Sequence, residues 1–144
     1  MRRVDYRAVE RMLYTYKELI ARYKLAVKER EIYDVTEDGL NAVSYDNTSS
    51  GRTNKINRSV EITVERRAKE LERLNLGIQR MENKIKRIDN ILDVLPEEQK
   101  KLLQLFYFES YSWTKIATEI NYSVSWCKKT RKKTIEMIVR LLNT

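Results

Sequence analysis

Between residues 59 and 95 two sets of apolar residues recur every seven positions. Leu71, Ile78, Ile85 and Leu92 form one set; Leu74, Met81, Ile88 and Leu95 form the other, offset by three. Two offset rows at that period are the a/d register of a helix that must bury one seam against another helix. A strand cannot satisfy it, because successive side chains of a strand face opposite sides. The spacing predicts a helix over 59–95, capped by Ser59 and roughly 50–55 Å long at about 1.5 Å per residue. Glu65 with Lys69, and Glu82 with Lys86, stand in the favourable i,i+4 order. Gly77 either marks a close approach of another element or has no packing role. With 3 glycines and 1 proline in 144 residues, long helices are favoured over sheets and the fold is expected to be all-α.

Residues 5–33 offer the seam a partner. Asp5 suits a cap, and Glu10 suits the positive end of a helix dipole. Leu13, Tyr16, Ile20, Tyr23 and Val27 recur at intervals of 3 and 4, and Met12, Leu19 and Ala26 widen the stripe. Tyr14, Tyr16 and Tyr23 read as packing residues. Two pairings are open. Helix 5–33 folds back on 59–95 as a long antiparallel, coiled-coil-like hairpin, or the same helix of a second chain covers the seam, giving a homodimer through the N-terminal helices. Residues 34–58 carry Gly39, Gly51 and a run of Asn, Thr and Ser, so a loop is expected there, longer than most connections. Ala42, Val43 and Tyr45 are its candidate anchors. Arg52, Lys55 and Arg58 are candidate phosphate contacts, against the plainer reading of a solvent-exposed connector.

Leu95-Pro96-Glu97-Glu98 is a helix restart, with Pro96 at the first helical position and two acids in the first turn. Leu102, Leu103, Leu105, Phe106 and Phe108 make an apolar helix to about Glu109, and Ser110 and Tyr111 turn the chain. Ser112 caps a short helix presenting Trp113, Ile116, Ala117 and Ile120. Asn121 ends it, since Asn tolerates the left-handed conformation. Tyr122 is expected to fill the corner, and Ser123 to cap a second helix whose Cys127 meets the first. Lys128, Lys129, Arg131, Lys132 and Lys133 crowd that helix with no acid among them, and Ile135, Ile138, Leu141 and Leu142 give it an apolar stripe. This is the spacing of a DNA-binding helix-turn-helix. The bland alternative is a helical hairpin with a solvated lysine face. The expected division is a hairpin arm over 1–95, containing loop 34–58, and a three-helix helix-turn-helix domain over 96–144.

Composition narrows the function. Lys and Arg number 29 against 21 Asp and Glu, a net charge of +8. Residues 96–144 carry 9 bases and 5 acids, whereas 59–95 are nearly balanced with 8 and 7. The net charge of +8 suits a polyanion, either nucleic acid or an anionic membrane surface. No apolar run approaches the roughly 20 residues of a membrane span. MRRVDYRAVERML has no apolar signal core, so a cytoplasmic protein is expected. One cysteine and no histidine leave no basis for a disulfide, a zinc site or the commonest acid–base chemistry. Neither GxxxxGK[ST] nor GxGxxG occurs. No enzyme and no cofactor is expected.

The segment LPEEQKKLLQLFYFESYSWTKIATEINYSVSWCKKTRKKTIEMI resembles region 4 of sigma-70-type factors. It shares the LPEEQ opening, the apolar helix, the aromatic-rich turn, the dipeptide Ile116–Ala117 and the cap Ser123. The whole chain resembles the RinA/ArpU-type phage transcriptional regulators, in which a long helical region precedes such a domain. SYSWTKIA and YSVSW are the most telling stretches. Asn121 stands where glycine is usual, Cys127 where Val or Ile is, and Thr130 where an apolar residue is. No segment resembles the −10-reading region 2, so a complete sigma factor is not expected.

The resemblance implies a sequence-specific double-stranded DNA binder that activates phage late genes in a bacterial host, with a contact to RNA polymerase. Ser125, Lys128, Lys129 and Lys132 would face the groove, where Lys reaches guanine O6 and N7. Arg131, Lys133 and Lys115 would hold phosphates. Trp126 would pack on Tyr122 or lean on a thymine methyl or sugar. Rival readings are a small terminase-like packaging protein and a structural coiled-coil adaptor.

Overall fold

The computed structural model of the chain describes residues 3–44 and 53–144, with side chains over 3–33 and 63–144. Its described regular structure is all helical. In order these are α1 (Tyr6–Tyr14), α2 (Tyr16–Ser44), α3 (Thr53–Asp93), α4 (Glu97–Leu103), a π-helical turn (Gln104–Phe108), α5 (Trp113–Ile120) and α6 (Val124–Leu142). None of the described helices is long and apolar enough to cross a membrane. Contacts group into two compact units, Met1–Ile20 with Lys84–Thr144, and Ala21–Asn83. The expected division at 95/96 therefore falls inside the first unit. The reason is the apolar face of α1, which packs on α6 and on the π-turn.

The core of the first unit joins Val9 and Leu13 of α1 to Ile88 and Leu92 of α3, Leu103, Tyr107, and Ile135 and Ile138 of α6. Asp5 caps α1, its carboxylate accepting from the Ala8 N–H at 2.8 Å. The two ends of the chain are clasped. The Val4 N–H donates to Asn143 Oδ1 at 2.9 Å, and Asn143 Nδ2 donates to the Val4 carbonyl at 2.8 Å. The helix expected over 5–33 is interrupted at Thr15. Its hydroxyl donates to the Arg11 carbonyl at 2.7 Å, competing with the helical ladder. The ladder resumes at Leu19, whose N–H donates to the Thr15 carbonyl at 2.9 Å.

In the second unit Ala26 of α2 and Ile78 of α3 are buried. Leu71, Leu74 and Met81 are half-buried, whereas Leu76, off the heptad rows, is exposed. Tyr33 donates to Glu70 Oε2 at 2.6 Å. A Cβ built on Gly77 meets nothing within 4 Å, which closes the close-approach reading.

Several boundaries differ from expectation. The loop expected over 34–58 is mostly helix, because α2 runs through Ser44 and α3 begins at Thr53. Gly39 disfavours a helix by about 1 kcal/mol relative to Ala, which weakens it without ending it, and an established helix gains one bond for each added residue. Ser59 consequently lies inside α3 rather than at its cap. The anchor roles of Ala42, Val43 and Tyr45 and the phosphate roles of Arg52, Lys55 and Arg58 fall outside the described side chains. Pro96 occupies the cap position, not the first helical one. Its extended backbone (φ −56°, ψ 147°) presents a carbonyl to the Lys100 N–H at 2.9 Å. Leu141 is 53% exposed, and Thr134 takes the inner face of α6 instead. Its hydroxyl is satisfied by the Thr130 carbonyl at 2.7 Å.

Denaturant unfolding should separate these positions. Leu103→Ala should destabilise by about 2–5 kcal/mol, as for a fully buried leucine, and Leu141→Ala should stay within about 0.5 kcal/mol. Gly77→Ala should stabilise by about 1 kcal/mol, since the space is open and only helix propensity changes.

Candidate nucleic-acid interface

Three residues separate α5 from α6, and local hydrogen bonds hold them. Ser112 caps α5, its hydroxyl oxygen accepting from the Lys115 N–H at 3.3 Å. Asn121 ends it in the left-handed region (φ 64°, ψ 38°). The N–H groups of Asn121 and Tyr122 both donate to the Ala117 carbonyl, at 3.0 and 3.3 Å. Ser123 caps α6 by accepting from the Trp126 N–H at 3.1 Å. The angle between the helices is sealed by Leu102, Ile116 and Cys127, all fully buried. Burial pushes the Cys127 thiol above its ordinary range, so it stays a neutral packing group.

The opposite side of α6 is open. Ser125, Lys128, Lys129, Lys132 and Lys133 are exposed, while Cys127, Thr134, Ile135 and Ile138 are buried. At about 100° per residue, Ser125, Lys129 and Lys132 point away from the buried face. None of the four lysines has an ion pair with a described acidic side chain. The exposed Glu136, one turn further along, closes the basic patch at its C-terminal side.

The other candidates sit differently. Tyr122 does not fill the corner, which Leu102, Ile116 and Cys127 already occupy. It stacks on Trp126 (3.8 Å between centroids, 14° between planes) and donates to Glu98 Oε1 at 2.9 Å. Trp126, half-buried, is thereby held on the turn. Lys115 lies over the Tyr111 ring, 3.9 Å from its centroid. Arg131 is turned inward. Its guanidinium pairs with Glu10 of α1 at 3.4 Å and lies 5.0 and 5.5 Å from the ring centroids of Phe106 and Trp113. The role of phosphate holder expected for Arg131 is therefore replaced by a structural one. The helical step places it on the core side, within reach of an acid and two rings.

The π-turn supplies Phe106, and α5 supplies Trp113. The Glu109 N–H bonds to the Gln104 carbonyl at 3.0 Å, one residue beyond the α-helical partner, and Ser110 then turns left-handed (φ 56°). Phe106 stacks on Trp113 at 4.5 Å, Tyr107 meets Tyr14 edge-on at 4.7 Å, and Phe108 stacks on Tyr16 at 4.6 Å. Tyr107 donates to the same Glu10 oxygen at 2.8 Å. Burial, followed by that hydrogen bond, raises the Tyr107 phenol far above its usual range. The same two causes, with Asp89 as acceptor, push Tyr16 up to about 12. Among the described residues no group of His, Cys, Asp or Glu is placed to hold a metal.

Over residues 12–140 the sequence matches a family model described as protein of unknown function, DUF722. The chain belongs to the DUF722 family. No curated protein and no solved structure matches it.

In this DUF722 chain the caps and the lysine face were readable from local sequence. Glu10 carries no local sign of its pairing with Arg131, because 121 positions separate the two. Glu10 is one of five acids within residues 5–33, and its place near the start of the helix points equally well to the helix dipole.

Alkaline pH tests the buried phenols. A tyrosine whose folded pKa lies above its unfolded value near 10 favours folding while neutral. That contribution is complete below about pH 10 and is lost as pH rises through the folded value, about 12 for Tyr16. Unfolding free energy measured across this range should fall less steeply for Tyr16→Phe than for the wild type. Equal slopes would remove the Tyr16–Asp89 bond from the account.

Proposed function

We propose that this protein is a sequence-specific double-stranded DNA-binding transcriptional regulator of the RinA/ArpU type, an activator of phage late genes. In this reading α4, α5 and α6 form a sigma region 4-like helix-turn-helix domain and α6 is its recognition helix. α2 and α3 form an antiparallel hairpin arm, for which Tyr33–Glu70 is one rung. One observation supports the reading most. The N-terminal half of α6 exposes Ser125, Lys128, Lys129, Lys132 and Lys133, and of these Ser125, Lys129 and Lys132 point away from its buried residues. Recognition helices of this motif contact base edges through their N-terminal residues.

Ser125, Lys128, Lys129 and Lys132 then read base edges, and Lys133 and Lys115 hold phosphates. Trp126 and Tyr122, stacked, offer an apolar edge to a thymine methyl or a sugar. Arg131 acts through position, tying α6 to α1 and to the aromatic shelf. RNA polymerase is the further partner this reading carries, with no surface assigned to it. A homodimer through the N-terminal helices is the alternative cover for the seam, where Leu71, Leu74 and Met81 are half-buried.

Selection of duplexes from a random pool, followed by anisotropy titrations over a salt series, tests this. Lys129→Ala should weaken the selected site by about 1–3 kcal/mol and relax preference at one base pair. Lys133→Ala should weaken all duplexes alike and reduce the slope of log K against log salt by about 0.9. If both variants leave a footprint on the selected site intact, α6 is not the reading helix. A ring-sized oligomer in light scattering would place the chain with packaging proteins. No duplex retention at moderate salt would leave a coiled-coil adaptor.

A further inference from the structure

A second charged surface lies in the first unit, on the side of α1 and the start of α2 that meets the end of α3. A groove of about 360 Å³ runs there. Ala8, Met12, Leu19 and Ile88 give it an apolar floor, and Arg11, Lys84 and Arg87 stand on its rim as exposed cations. No acid lines it, and none of the three cations is ion-paired with a described acidic side chain. Ala8, Met12, Thr15 and Leu19 follow one another at intervals of four and three. They extend the groove over about three helical turns, roughly 16 Å.

We propose that this groove is the docking site for an acidic amphipathic helix of a partner protein. An occupant of that kind lays apolar residues at i, i+3, i+4 and i+7 along the floor and sets its carboxylates against the rim. The chemistry excludes the simpler occupants. A phosphate backbone satisfies the rim but leaves the apolar floor uncovered. A second copy of this chain brings a net charge of +8 to an already cationic groove. A small anion spans neither the length nor the floor. Opposite charge at such a rim acts mainly on approach and partner choice, while the floor supplies the hold. The groove uses none of the residues assigned to DNA, so the proposal stands independently of the DNA-binding reading.

The test uses the full-length chain and a fluorescein-labelled helical peptide of about five turns, with leucines at i, i+3, i+4 and i+7 and glutamates beside them. A scrambled peptide of equal composition is the control. The patterned peptide should bind more tightly than the scrambled one. Lys84→Glu with Arg87→Glu should weaken it by about tenfold, the combined effect of reversing two rim charges. Both side chains are exposed, so circular dichroism should show the variant folded. Lys129→Ala with Lys132→Ala should leave peptide binding unchanged, which excludes simple attraction to the lysines of α6. Equal binding of the two peptides would overturn the proposal, as would an unchanged affinity in the double reversal. A reversal that lowers duplex affinity more than peptide affinity would assign the groove to phosphates and overturn it too.

Discussion

The first unit depends on how the inner face of α6 is sealed. A helix this basic stays attached to a small domain only if its other side buries enough apolar surface to outweigh the mutual repulsion of its cations. Cys127, Ile135 and Ile138 are fully buried, and their partners come from four places: α1, the end of α3, α4 and α5. At roughly 25 cal/mol for each Å² of apolar area, each such side chain contributes about 1.5–3 kcal/mol. The lysine repulsion is weaker, because exposed charges are screened within about 10 Å at ordinary salt. Burial therefore decides which way α6 turns, and the cations are left facing water.

Arg131 shows the same contest with the other outcome. It lies on the inner side of α6, where an unpaired charge would be costly. The structure brings it Glu10, with two aromatic faces close by, and Tyr107 shares the same carboxylate oxygen. The first helix of the chain thus supplies the counter-charge for the last. Removing either partner would leave a partly buried charge uncompensated, so α1 belongs to the C-terminal domain in physical terms although it lies at the other end of the sequence. The Val4–Asn143 clasp works in the same direction at the chain ends.

What could be read from sequence follows the range of the forces involved. Ser112, Asn121 and Ser123 act through hydrogen bonds within a few residues, and they stand in the structure where the local pattern places them. The heptad rows of α3 act through a period intrinsic to the helix, and their members face inward. The failures were of two kinds. Local signals at helix ends can be overridden: Gly39 is a weak breaker and lies inside α2, and Ser59, a good cap residue, lies inside a helix that starts earlier. Contacts between distant residues had no local signature, as with Glu10 and Arg131, or with the replacement of Leu141 by Thr134 on the inner face. A leucine at the end of a helix and a threonine in its middle are ranked by hydrophobicity in sequence. They are ranked by depth in the fold, once the threonine hydroxyl has found the Thr130 carbonyl.

The π-turn connects these levels. Leu102 and Leu103 are buried in different clusters, one with Ile116 and Cys127, the other with Val9 and Ile138. Three consecutive aromatic residues, Phe106 to Phe108, must then reach Trp113, Tyr14 and Tyr16 in turn. An α-helical continuation would carry the chain past the point where α5 has to start. One extra residue in the turn, followed by a left-handed Ser110, brings the backbone round while keeping the Glu109 and Tyr111 N–H groups bonded. Such π-turns are uncommon and often accompany functional sites. Here the turn delivers Phe106 and Trp113 to Arg131, and so links the placement of α6 to an irregularity two elements earlier in the chain.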